Sequence, residues 1–375
     1  MSPRTRTTSL VCLALAGLPA IAAAQDVRVE IRVPVEIVAE LRAAAHVVER
    51  EIRRETAAAF RDVMTELNRV TRTDAFATGQ NRNFRAQQTA RETHTLALGA
   101  NGQLELKNIS GDITVTAGSG TRASIEIIRT SHGRTSEDAQ RGLDRVKAVV
   151  TERGNRAVVE TQYPNERQPG YSVDVDYQVT APAGTALVIT SISGDVRVTG
   201  ISGATSVEVI SGDVSLQDVT RLSSAKSASG DIVLTNVGSD GSLEAGTMSG
   251  DVTIRGLKAD RVSIDSIVGD VLASGVASAA ASLKSTSGDI TFDGTLCRNG
   301  RYEFQSNSGT LRLTFAGDTG FDLQATTYSG SIRPDAAMNL KVTNQSRRAM
   351  RATFGDGGAT VVATTFSGSV ILARK

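Results

Sequence analysis

Along residues 186–375 apolar and polar side chains alternate in short runs, and each run is broken at the same place by a Ser-Gly-Asp-like triplet. After the triplet comes a three-residue alternation: Val196, Arg197, Val198; Val214, Ser215, Leu216; Ile232, Val233, Leu234; Val252, Thr253, Ile254. Successive side chains of a strand point to opposite faces, so this is the pattern of a strand with one face buried. A polar or glycine position and another aliphatic follow, at Ile201, Val219, Val237, Leu257 and Val276. A second alternating run leads into the triplet, as in Leu187 and Ile189, Val207 and Val209, Val262 and Ile264, or Phe321 and Leu323. Each unit predicts two short strands and two turns.

The triplet glycines are Gly194, Gly212, Gly230, Gly250, Gly269, Gly288, Gly309 and Gly330, at intervals of 18, 18, 20, 19, 19, 21 and 21 residues. Gly368 follows 38 residues later, which places a degenerate copy at "NQSRRAMRATF", with Ser346 and Arg347 in the Ser-Gly places. A fixed period of about 20 means a solenoid, each coil pairing with the ones above and below. The fold class expected is all-β: a single-chain, β-helix-like solenoid of 18–21-residue coils, preceded by an N-terminal α-helix. Glycine at the triplet supplies positive φ at a corner, and aspartate can bond nearby backbone N–H groups.

Equal spacing puts equivalent residues in columns. Two places before the triplet stand Ser191, Val209, Ser227, Thr247, Ser266, Ser285, Ser306, Thr327 and Thr365, a column able to hydrogen-bond along the solenoid axis. Asp195, Asp213, Asp231, Asp251, Asp270 and Asp289 form another, the one candidate site. Oxygen-rich ladders hold hard cations such as Ca²⁺. The plainer expectation is that each carboxylate caps its own turn, because Thr310, Ser331 and Ser369 stand in the same column and bond backbone equally well.

Residues 91–185 read as an opening version of the same domain. "LELKNISGDITV" carries an earlier triplet with Gly111, "TSEDAQRGLDRVKAVVTERGN" reads as a short helix, and "AVVETQY" and "YSVDVDYQVTAPAGTALVI" read as strands covering the first coils. Together with "VDYQVTAPAGTALVITSISGDVRVTGISG" and the iterated triplets, this region resembles the DUF4097 family of exported bacterial proteins, a family of candidate adhesins. The resemblance runs from about residue 92 to the C-terminus. It implies a β-strand-repeat domain at the cell envelope, brings no catalytic residues, and leaves residues 35–72 outside it.

Those residues change period. Ile37, Leu41, Ala44, Val48, Ile52, Thr56, Ala59, Val63, Leu67 and Val70 recur every three or four positions, an amphipathic helix with Pro34 at its start. Self-association through this stripe and packing against the neighbouring domain stand as equal readings. Residues 73–90 lose both periods and read as a linker. At the N-terminus Arg4 and Arg6, the apolar run from Leu10 to Ala24, and Ala22 and Ala24 before Gln25 make the three-part pattern of a secretory signal. The expected divisions are 1–24 signal, 25–72 helical segment, 73–90 linker, 91–185 N-terminal β part and 186–375 solenoid.

Charge and chemistry add little. Lys plus Arg number 41 and Asp plus Glu 40, so no electrostatic bias points to nucleic acid. No later segment is apolar and long enough to span a membrane once the signal is removed. Cys297, the one cysteine outside the signal, is expected as a small buried side chain. His46, His94 and His132 are scattered, and no nucleophile elbow or metal-ligand spacing occurs. No cofactor is called for. The expectation is an exported, non-catalytic module in the periplasm, envelope or medium that binds an envelope or surface component. The alternatives are a scaffold assembling through residues 35–72 or the solenoid ends, and, third, a polysaccharide-active enzyme.

Overall fold

The computed structural model describes residues 84–164, 170–335 and 338–375. The signal, the helix expected at 35–72 and most of the linker lie outside the described residues.

The described chain is an all-β solenoid. In each coil a longer strand, such as Ala204–Ser211, runs into the Ser-Gly-Asp corner and a shorter strand, such as Val214–Gln217, leaves it. Each pairs in parallel with its copies in the neighbouring coils: Val207 aligns with Ile189 and Ala225, and Val214 with Val196 and Ile232. In the middle coils a third segment joins the ladder, Leu257 aligning with Val237 and Val276, so the runs merge into the long strands Val252–Val268, Val271–Ser287 and Ile290–Ser308. Inward positions stack as Val, Ile, Leu and Ala columns that are fully buried. Towards the C-terminal end the interior takes rings, with Phe292 against Phe304 at 5.0 Å, Phe315 against Phe321 at 5.0 Å and Phe321 stacked on Phe354 at 5.3 Å.

The coils are not stacked in chain order at either end. The early triplet joins the same column: Gln103–Ser110 pairs in parallel with Ala186–Ser193, and Ile113 aligns with Val196. Residues 119–182 are an excursion that covers this first coil. Arg156–Gln162 and Tyr171–Pro182 pair in parallel on its outer side, and Ala123–Gly133 and Ala86–Leu96 extend the sheet antiparallel beyond them. At the other end the last strands of the chain, Ala359–Ser367 and Val370–Arg374, slot between the coil of Arg301 and Leu311 and the coil of Phe321 and Ile332.

This corrects the degenerate copy. No coil is missing between Gly330 and Gly368. Residues 340–354 form an antiparallel hairpin laid on Phe321–Thr326, and Ser346 and Arg347 sit at its turn, where the Ser346 hydroxyl accepts the Ala349 N–H at 3.0 Å. An antiparallel hairpin closes an open sheet end that a further parallel coil would only displace. On the second wall the end strand Ile332–Pro334 is short and finishes on a residue without an N–H.

Two further expectations shift. The helix α1 spans Ser136–Arg145 only. Thr135 caps it by accepting the Asp138 N–H at 3.1 Å, and the Arg129 guanidinium donates to the Leu143 and Val146 carbonyls at its end. The remainder, Lys147–Arg153, is a strand that turns at Gly154 (φ 63°) and pairs antiparallel with Arg156–Gln162. Its alternating, β-branched Val149, Val150 and Thr151 suit a strand better than a helix. The strand Ala86–Leu96 also begins inside the stretch expected as linker. Its side chains are polar on both faces, so no apolar alternation announces it.

Candidate functional site

The aspartate column is real, and its geometry differs from a set of private turn caps. Each carboxylate reaches the next coil: Asp195 Oδ1 accepts the Asp213 N–H at 3.0 Å, Asp213 that of Asp231 at 2.8 Å, Asp231 that of Asp251 at 2.8 Å, Asp251 that of Asp270 at 2.7 Å and Asp270 that of Asp289 at 2.7 Å. The ladder starts further back, with Asp176 accepting from Asp112 and Asp112 from Asp195, both at 2.9 Å. It ends as Asp289 accepts the Thr310 N–H at 2.8 Å. The corner turns these N–H groups out of the strand ladder, and a side chain one coil away replaces the lost partner.

The two ends of this ladder differ electrostatically. Burial, helped by the neighbouring charges of Asp112 and Asp174, pushes the Asp176 carboxyl above its ordinary range, against the hydrogen bond from Asp112 that pulls it down. Asp289 is held below its ordinary range by the Thr310 N–H and by Arg312, which donates to it at 2.6 Å. Arg197 lies between Asp112 and Asp195, at 3.7 and 2.8 Å. Among the described residues no three aspartate, glutamate, histidine or cysteine side chains converge as a metal-binding group.

The corner glycines stack on one another. At Gly250 φ is 142°, and a Cβ there would overlap the carbonyl oxygen of Gly230. Gly309 and Gly330 lie outside the positive-φ region, yet a Cβ on either would overlap the carbonyl of Gly288 or Gly368. The shared requirement at all the corners Gly111, Gly194, Gly212, Gly230, Gly250, Gly269, Gly288, Gly309, Gly330 and Gly368 is close approach between chain segments, with positive φ at most of them.

The glycine carbonyl points inward, and most of the hydroxyl column meets it, while the Ser191 and Ser266 hydroxyls are buried without a partner. Ser227 donates to the Gly212 carbonyl at 3.0 Å, Thr247 to Gly230 at 3.1 Å, Ser306 to Gly288 at 3.1 Å, Thr365 to Gly309 at 3.0 Å and Thr327 to Gly368 at 2.8 Å. In the first coil Asn108 takes this part, donating to the Gly111 carbonyl at 2.9 Å. It belongs to a buried group with Thr161 and Tyr177, whose phenol burial pushes up. Val209 stands in the column without a hydroxyl, so Gly194 receives no such bond.

Other candidates scatter. His132 faces Gln87 and His94 faces Ile125 on the same antiparallel pair, while His46 is outside the described residues. Cys297 is exposed, contrary to expectation: it lies on an outward bend before Asn299 (φ 63°), and its backbone N–H donates to the Tyr302 hydroxyl. No described helix is long and apolar enough to cross a membrane.

One surface feature escaped the sequence reading. The residue two places before each triplet glycine faces away from the interior, and over six adjacent coils it is apolar: Ile109, which is itself buried, and the half-buried Ile192, Ile210, Ala228, Met248 and Ile267. None of the six belongs to the interior cluster. The signal was present as "NISG", "SISG", "VISG", "ASG", "TMSG" and "SIVG", hidden by the stronger inward pattern beside it.

This chain belongs to the Toastrack DUF4097 family, whose model matches residues 80–255 and 223–373. No curated protein matches the sequence. Among solved structures, similar chains include a candidate adhesin of Parabacteroides distasonis (12% identity, TM-score 0.38, covering 76% of this chain and 97% of that one) and one of Bacteroides fragilis (12%, 0.35, 76% and 97%). A candidate lipid-binding protein of Parabacteroides distasonis is a third (12%, 0.42, 76% and 96%).

Proposed function

We propose that this protein is an exported, non-catalytic solenoid that acts through its outer walls as an adhesion or envelope-binding module. The observation that carries the reading is the fate of the aspartate column. The carboxylates best placed to do chemistry are each committed by one oxygen to the backbone of the next coil. They hold corners, and the walls they hold present side chains in straight columns about 4.8 Å apart. Such a surface suits repetitive or extended partners. The signal pattern at residues 1–24 supports export, and the envelope component is the partner sought.

The test is binding of purified protein to whole cells and to isolated cell-wall glycan, with tagged protein fractionated among periplasm, outer membrane and medium. Saturable binding to an envelope fraction is the expected result. Turnover of envelope polysaccharide, or cytoplasmic residence, would overturn the reading. Oligomer formation without envelope binding would favour the scaffold alternative.

A further inference from the structure

The outward stripe Ile109, Ile192, Ile210, Ala228, Met248 and Ile267 is flanked on the same wall by a column two residues earlier in each strand. In spatial order that column reads Glu160, Lys107, Thr190, Glu208, Lys226, Gly246, Asp265, Lys284. Its charges are antisymmetric about a point between the Glu208 and Lys226 coils. Reversing the column end to end sets Glu208 opposite Lys226, Lys107 opposite Asp265 and Glu160 opposite Lys284. Reversal about the same point sets the half-buried Ile210 opposite Ala228 and Ile192 opposite Met248, and leaves Ile267 opposite Ile109, which its own fold already covers.

We propose that this wall is a homodimer interface, on which a second copy packs face to face and antiparallel about a two-fold axis between the Ile210 and Ala228 coils. A two-fold contact must be self-complementary, and this surface meets that condition in shape class and in charge at one register. Neighbouring registers fail. Sliding the axis half a coil sets Glu208 on Glu208 or Lys226 on Lys226, and sliding it a whole coil sets Glu208 on Asp265 or Lys226 on Lys107. An axis through Gly246 satisfies the charges but lays Ile210 on Thr286 and Ile192 on Asn307, outside the stripe. Like charges thus select against the near alternatives.

Glu208 sits half-buried on this wall. Burial pushes the Glu208 carboxyl above its ordinary range, opposed by Lys226. Lys226 already donates to Glu244 at 2.9 Å and keeps further N–H groups for a second acceptor. Five coils at ~4.8 Å and three outward columns ~7 Å apart give roughly 1,000 Å² buried over both copies, the smallest area expected of a specific interface. The dimer should therefore be weak.

Sedimentation of the full chain over a concentration series tests this. A monomer–dimer equilibrium is expected, weakened about tenfold or more by Ala228→Arg, by Lys226→Glu and by Glu208→Lys. Mixing the Lys226→Glu and Glu208→Lys proteins should restore association, because the mixed dimer again pairs opposite charges at both contacts. Thermal melts of each variant, taken dilute, separate lost pairing from lost folding; if a charge variant fails to fold, the Ala228→Arg protein decides. A chain still monomeric at about 1 mM, association indifferent to these variants, or folded single variants that do not complement on mixing would each overturn the proposal. Envelope binding does not enter this measurement, so its failure leaves the adhesion reading standing.

Discussion

The carboxylate of Asp213 accepts the backbone N–H of Asp231 at 2.8 Å, one coil further along the solenoid. The bond ties two coils together at the Ser-Gly-Asp corner, where the chain turns out of its strand ladder. The repeated aspartate is thus an inter-coil fastener.

Replacing Asp213, Asp231 and Asp251 together by Asn keeps a carbonyl acceptor at every step and should cost little. The triple Ala protein leaves three N–H groups to solvent and should lose about 0.5–1.5 kcal/mol for each, read as a lower urea midpoint. Calcium and sodium chloride at equal ionic strength should give the same melting temperature. A calcium-specific rise, lost in the Asn protein, would make the column a cation site.

The ladder ends should respond oppositely to Asn. The folded pKa of Asp289 is lowered, so its ionised form adds stability above the unfolded carboxylate pKa, and that share is lost as pH falls through the folded value. Asp289→Asn should therefore lower the melting temperature at pH 7, with a shrinking difference in acid. The folded pKa of Asp176 is raised, so its charge costs stability at neutral pH and the cost fades on acidification. Asp176→Asn should leave the protein as stable or more stable at pH 7. Parallel melts of both variants at neutral and acid pH check this.

Gly250→Ala and Gly309→Ala separate two causes of the corner glycine. If positive φ alone mattered, only the first would suffer. Because both added methyl groups overlap a glycine carbonyl one coil away, both should lose more than about 2 kcal/mol. Gly241→Ala, with nothing within 4 Å of its Cβ, is the control and should stay near wild type in a denaturant melt.

Val209→Thr should be nearly neutral or stabilising, against the usual cost of burying a hydroxyl, because the Gly194 carbonyl awaits the donor that Thr247 gives to Gly230. Val207→Thr, inward on the same strand and equally buried, has no such acceptor and should lose about 1–2 kcal/mol. Equal melting temperatures for the two variants would sink the carbonyl–hydroxyl account.

Deleting residues 359–375 should do more than shorten the solenoid. The deleted strands lie between two coils, so hydrogen exchange along Phe321–Ser329 should lose its protection together with the removed segment. Retained protection there would mean that the end coil repacks directly onto Arg301–Ser308.

The coil could be read from the chain alone because its causes are local. Alternation at Val214, Ser215 and Leu216 makes a strand, Gly212 makes the corner, and the near-regular spacing of 18–21 residues between corners stacks like on like. Even the hydroxyl column at Ser227 and Thr247 followed from spacing, although its acceptor, the glycine carbonyl of the adjacent coil, did not. What the tertiary structure alone decided was order and exposure. Every coil offers the same in-register edge, so nothing in Ala359–Ser367 says whether that strand pairs with the strand of Arg301 or with that of Phe321, and it pairs with both. The other edge of Phe321–Thr326 is taken by the hairpin 340–354, a long-range pairing with no local signature. Residues 147–153, by contrast, carry a local strand signal in Val149, Val150 and Thr151, and pair with the adjacent Arg156–Gln162. Alternation with Val207 marks Val209 as inward, but that its apolar neighbour Ile210 stands on the outer wall, in a column with Ile192 and Ala228, shows only once the coils are stacked.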